Sequence, residues 1–225
     1  MSASVAATTA STGVNTWERL WRTAGIQFVG LTILAYLIYG DPPGINAPPD
    51  ALSFYHGDRM RVLIASIFAG LAVLNLMWFA AALRTTLADA GYDGWGAAAT
   101  ASSAAVGALA FVLIAIAAAL TYSNADFLNN FTWTCGVVSS FPRAMLIMSS
   151  AFGLWRAKLI SNALFTAGVA VVILGVLGGT TWASGGFWAP DGAYSRFILP
   201  VVSLVWVLVV SRVLLTRAPA TRAGW

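Results

Sequence analysis

Residues 62–83 read VLIASIFAGLAVLNLMWFAAAL and contain no charged side chain. As a helix rising about 1.5 Å per residue, this run is about 33 Å long. That matches the hydrocarbon core of a bilayer, roughly 30 Å. Five more apolar runs, residues 23–39, 97–120, 135–155, 159–182 and 197–215, have comparable length. Composition agrees with the pattern. Apolar residues make up 59% and charged residues 9%, whereas soluble domains carry about a quarter charged. The expected fold is an all-α integral membrane bundle of about six transmembrane helices. Residues 1–16 read as a disordered tail, residues 17–216 as the membrane domain, and residues 217–225 as a short basic tail.

Residues 1–15 are rich in Ser, Thr and Ala and lack the basic start of a signal peptide. The segment Trp17-Glu18-Arg19-Leu20-Trp21-Arg22 resembles an interfacial anchor. The basic residues fix orientation. With the N-terminus inside, Arg19, Arg22, Arg84, Arg156, Lys158, Arg212, Arg217 and Arg222 are cytoplasmic, while Arg59, Arg61 and Arg196 are outside. This positive-inside bias puts both termini in the cytoplasm. The arginines are scattered, so no nucleic-acid partner is expected. The Arg- and Ala-rich composition suggests a bacterial gene, and the expected location is the bacterial inner membrane.

Three outer loops stand out. Residues 41–61 hold Pro42-Pro43-Gly44 and Pro48-Pro49, residues 123–134 hold Asp126, Asn129, Asn130 and Trp133, and residues 184–196 hold Trp188, Pro190 and Asp191. They are aromatic and acidic, and long enough to fold over the outer mouth. The inner links are short, which implies antiparallel neighbours.

Arg143 is the sharpest feature. It lies about 12 Å into the fourth run, counted from Cys135. An arginine at that depth costs at least a few kcal/mol unless paired or wetted. Gly136, Ser139, Ser140 and Ser150 share its helical face, and Pro142 beside it frees a backbone carbonyl. Two readings stay open. Arg143 anchors an anionic headgroup or solute, or it snorkels outward or pairs with Asp126 or Asp191.

Asn75 lies deep in the second run, where it either lines a polar cavity with Ser102 and Ser103 or makes an interhelical hydrogen bond. Ser103, Gly107, Gly168, Gly175 and Gly178 permit close helix approach. His56 is the only histidine. It could pair with Asp58 in acid–base work, but Asp58 reads better as the cap of the second helix. Tyr55, Trp133, Trp188 and Asp191 are candidates for the rim of a ligand mouth, although the tryptophans also suit an interfacial belt.

Several chemistries are excluded. One histidine cannot supply a bis-histidine haem, and Cys135 alone cannot form an internal disulfide. Lys158, the only lysine, lies at a helix junction and is no retinal Schiff base. The apolar runs hold no Asp or Glu for a proton relay. No phosphate loop, CxxC or HExxH occurs. Neither a metal nor a cofactor is expected, and no residue is assigned a catalytic role.

The segments Phe54-Tyr55, Asp58-Arg59-Met60-Arg61, Trp78-Phe79, Leu83-Arg84, Phe187-Trp188-Ala189-Pro190-Asp191-Gly192-Ala193-Tyr194 and Trp206-Val207-Leu208-Val209-Val210-Ser211 carry a resemblance. Together they resemble an uncharacterised domain-of-unknown-function family of small six-helix bacterial membrane proteins. The resemblance implies the six-helix fold and brings no activity with it.

The expected role is binding or transport of an anionic or amphipathic small molecule or lipid, at a site open to the outer face. Arg143, Ser139, Ser140 and Asn75 would form it, with Tyr55, His56, Trp133, Trp188 and Asp191 around the mouth. The alternative is a non-catalytic accessory subunit of a larger membrane complex; expected partners are the bilayer and either another membrane protein or further copies of the chain in a homo-oligomer. An intramembrane lipid enzyme using His56 and Asp58 is a third reading, with the fewest residues behind it.

Overall fold

A computed structural model describes residues 21–123 and 125–216 of the chain. The expected terminal tails, and the orientation of the termini, therefore fall wholly or largely outside the described residues. Every regular element among the described residues is helical. The main helices are α1 (Ala24–Tyr39), the short α2 (Ser53–Gly57), α3 (Arg59–Asp89), α4 (Asp93–Leu120), α5 (Asp126–Val138), α6 (Ser140–Arg156), α7 (Asn162–Gly178) and α8 (Leu199–Thr216). A π-helical turn, Tyr194–Ile198, leads into α8.

Four stretches are long and apolar enough to cross a membrane: α3, α4, the consecutive α5 and α6, and α8 with its leading turn. α1 and α7 are apolar but shorter, at 16 and 17 residues. The run at residues 159–182 is thus longer than the helix it forms. Ser161 caps the start, its hydroxyl accepting from the Leu164 N–H at 3.3 Å. Gly178 and Gly179, poor helix formers, end it. Other helices overrun their apolar runs. α3 begins at Arg59 because the Asp58 carboxylate accepts from the Arg61 N–H at 3.2 Å, the expected cap.

The largest departure is residues 123–134, expected as a loop. From Asp126 onward they are helical, and α5 runs into α6 with a break at Ser139. Asp126 in the first turn complements the helix N-terminus. The break falls where Pro142, lacking an N–H, cannot donate to the Val138 carbonyl.

The helices close into a ring: α1 packs on α3, α3 on α4, α4 on α6, α6 on α7, α7 on α8 and α8 back on α1. One end of the ring carries tight turns, at residues 90–92 and 157–161; the other carries the long loops. We call these the turn end and the loop end. Toward the turn end the ring is filled by Phe79, Leu83, Leu87, Ala99, Leu154 and Leu214. Small residues allow this closeness. A Cβ on Gly175 would lie 2.9 Å from the Ala144 Cβ, and one on Gly168 would lie 2.5 Å from the Trp206 ring. Packing is therefore the role of these glycines. Ile67, Trp78, Ile173 and Val201 face outward and exposed, as suits contact with lipid.

Candidate functional site

Toward the loop end the ring is not filled. It encloses a partly open cavity of about 310 Å³, walled by α1, α3, α4, α6 and α8. Ala69, Ala72 and Ala110 leave this space where larger side chains would close it. The walls are apolar with three polar exceptions, Thr32, Ser203 and Arg143. The two hydroxyls are already committed. Thr32 donates to the Phe28 carbonyl and Ser203 to the Leu199 carbonyl, each at 2.7 Å. Arg143 is the only charged group in the lining.

Arg143 is the fourth residue of α6. Its Nη2 donates to Ser139 Oγ at 2.9 Å, and Ser139 Oγ in turn donates to the Gly136 carbonyl at 2.6 Å. Ser139 is one turn toward the loop end, so the guanidinium is drawn toward that end of the cavity. Leu76, Val106 and Val207 line the opposite end. Arg143 makes no ion pair among the described residues. The suggested carboxylate partners do not reach it. Asp191 accepts from the Ile45 N–H at 3.1 Å, and Asp126 lies at the far start of α5. Arg143 is half-buried, and among apolar walls it has given up part of its hydration without gaining an opposite charge. An anion entering the cavity would supply that charge.

Beyond the cavity, the segment after α1, helix α5 and the turn leading into α8 are joined by one cluster. Arg196, in the turn leading into α8, pairs with Asp41 at 2.5 Å and donates to the Pro42 carbonyl at 3.1 Å. It stacks over the Trp133 ring at 5.0 Å, and Trp133 Nε1 donates to the Pro43 carbonyl at 2.8 Å. The next residues are pinned as firmly. Asn129 donates to the Gly44 carbonyl at 2.8 Å and accepts from the Tyr55 hydroxyl at 2.9 Å. Asn130 and Asn46 exchange two bonds, at 2.8 and 3.1 Å. Residues 41–46 thus form a strap across the loop end, a roof tied to α5 and to the α7–α8 connection.

The residues anticipated from sequence fall into three groups. Arg143 and Ser139 meet at the cavity. Tyr55, Trp133 and Asp191 meet in the roof, where they hold the strap instead of lining the cavity. The others lie elsewhere. Asn75 donates to the Leu71 carbonyl of its own helix at 2.9 Å, and Ser102 and Ser103 bond back within α4. These three make neither the polar cavity nor an interhelical bond, because a short polar side chain on a helix reaches its own carbonyls first. Ser140 is buried with an unpartnered hydroxyl, about 3.1 Å from where a Gly178 Cβ would stand. His56 is exposed. Trp188 donates to the Thr180 carbonyl at 2.9 Å and packs on Tyr194 at 4.6 Å.

Sequence reading missed Arg196 as the roof anchor and Asn129 as its buried hinge pin. Asp126, Asn129, Asn130 and Trp133 follow helical spacing, and that was the available signal. Comparison of the chain with protein-family models, with curated proteins and with solved structures found no match. Functional residues therefore rest on this chain's own geometry.

Proposed function

We propose that this is a membrane-embedded binding or transport protein for an anionic or amphipathic small molecule or lipid. The observation that carries the reading is Arg143, a cation without an ion pair among the described residues, in a cavity whose other two polar groups, Thr32 and Ser203, are bonded to their own helices. Ligand sites are typically apolar pockets with a few placed polar groups. A half-buried arginine among apolar walls meets its desolvation cost best with an anion in place.

In this reading all six long helical units cross the membrane. α1 and α7 are about 24–26 Å long at 1.5 Å per residue, a shortfall that local thinning of the bilayer accommodates. The turn end, with Arg84, Arg156 and Lys158, is cytoplasmic, as are both termini. The loop end faces outward, and the setting that suits the composition is a bacterial inner membrane. A reporter fused at the α3–α4 turn is expected to be active only in its cytoplasmic form, and one fused in residues 45–47 only in its exported form. The reverse result would invert the topology.

The binding test is native mass spectrometry of the full chain in mild detergent. The wild type is expected to carry a small, reproducible anionic adduct, and Arg143→Leu to lose it while staying folded. An adduct kept unchanged by Arg143→Leu would remove Arg143 as anchor. A protein-sized adduct would favour the accessory-subunit reading.

A further inference from the structure

We infer that the cavity selects a single-chain, singly charged carboxylate amphiphile of medium length, with its head at Arg143 and its tail toward Leu76, Val106 and Val207. The inference rests on the anion-anchor reading of Arg143 and narrows it to one ligand class.

Charge sets the first limit. Arg143 commits one guanidinium N–H to Ser139 and keeps the rest of its fork for a ligand. That fork matches a carboxylate in bidentate geometry. No second cation lines the cavity. A dianionic phosphate monoester would leave one charge uncompensated among apolar walls, and a zwitterion would leave its ammonium without a carboxylate. Both are costly in such surroundings.

The walls set the second limit. Thr32 and Ser203 donate to their own backbones, so apart from Arg143 the lining donates no hydrogen bond to a ligand. A small hydrophilic anion would lose its hydration and gain a single contact. A hydrocarbon tail fits the same walls without that loss.

Size sets the third. An apolar cavity of roughly 150 Å³ accepts one benzene ring. At about 310 Å³, this cavity accepts about twice as many heavy atoms, about a dozen. On α4 the lining runs from Val106 to Ile114, about 12 Å of helix at 1.5 Å per residue. Decanoate matches both the count and the elongated shape. A two-chain phospholipid exceeds the volume. Orientation follows from Ser139, which draws the guanidinium to the loop end and leaves the opposite end wholly apolar.

The test is equilibrium binding of radiolabelled decanoate to the full chain in nanodiscs, corrected with empty nanodiscs. Decanol, acetate, inorganic phosphate and phosphatidylglycerol serve as competitors. Decanoate is expected to bind at one per chain and to resist all four. Arg143→Leu is expected to weaken it about 10- to 100-fold, as loss of a charge-assisted pair does. Ala110→Phe, which puts a ring into the cavity and leaves the Arg143 side chain unchanged, is expected to abolish it, and it tests the cavity as the site if Arg143→Leu does not fold. If acetate or phosphate competes as well as decanoate, the amphiphile class is overturned while the anion site stands. Displacement by phosphatidylglycerol likewise overturns the single-chain limit alone. If decanol competes equally and Arg143→Leu binds like wild type, both the class and the anchor fall.

Discussion

Asn129 is 2% exposed and uses both ends of its amide, accepting from Tyr55 and donating to Gly44. Such a pair is costly to break because the remaining partner stays buried and unsatisfied, at about 1–3 kcal/mol. Tyr55→Phe is expected to lower thermal stability in detergent by about that amount at neutral pH. Its pH dependence is a second readout of the same variant. Burial pushes the Tyr55 phenol above its ordinary value of 10.0. The folded state thus favours the neutral phenol. The contribution is whole below pH 10 and fades as pH rises through the raised value, because the unfolded chain ionises first. Wild type is expected to lose stability above pH 10 more steeply than Tyr55→Phe, as thermal melts across that range would show. Equal slopes would take Tyr55 out of the linkage. At this scale the sequence was half legible. Arg143 stood out because a charge inside an apolar run is costly unless paired or wetted, whichever of the two readings holds. Asn129 did not, because an asparagine among polar residues resembles any loop residue until its partners, far away in the chain, are brought to it.

Apolar runs located every long helix but not its ends. Residues 159–182 gave a helix of 17 residues, and residues 62–83 one of 31. Hydropathy marks what must avoid water, whereas caps and glycines decide where a helix starts and stops. The part of α5 up to Thr134 was read as loop because its polar residues hid an amphipathic spacing. Glycines show the same split between pattern and context. Gly175 would drive a side chain into the Ala144 backbone, whereas Gly70, inside α3, has nothing nearby. Gly175→Leu is expected to force α6 and α7 apart and cost about 1–3 kcal/mol. Gly70→Ala is expected to stabilise α3 by about 0.5–1 kcal/mol. Thermal unfolding of the two variants side by side checks both, and opposite signs from one residue type would confirm that packing separates them.

Ring closure could not be read from the chain. α8 meets α1 across almost the whole sequence, and no local pattern encodes such a contact. The cavity was equally hidden, since the space comes from a few alanines set among larger apolar side chains on five separate helices. Only its charged wall showed in advance. The ring is asymmetric along its axis, with a packed turn end, a hollow middle and a strapped loop end.

The ion pair that fastens the strap joins a mostly buried Arg196 to an Asp41 whose side chain is 74% exposed. Dissolved ions therefore reach one half of the fastening. Electrostatic attraction fades over about 10 Å at 0.1 M salt and about 3 Å at 1 M. On the proposed reading the strap covers the way into the cavity, and this one fastening among several weakens as ionic strength rises. Release of bound decanoate is expected to quicken as sodium chloride rises. Asp41→Asn should release it fast at every concentration, and a flat response in the wild type would disconnect the strap from access. On the proposed reading, ligand is retained longest at low ionic strength.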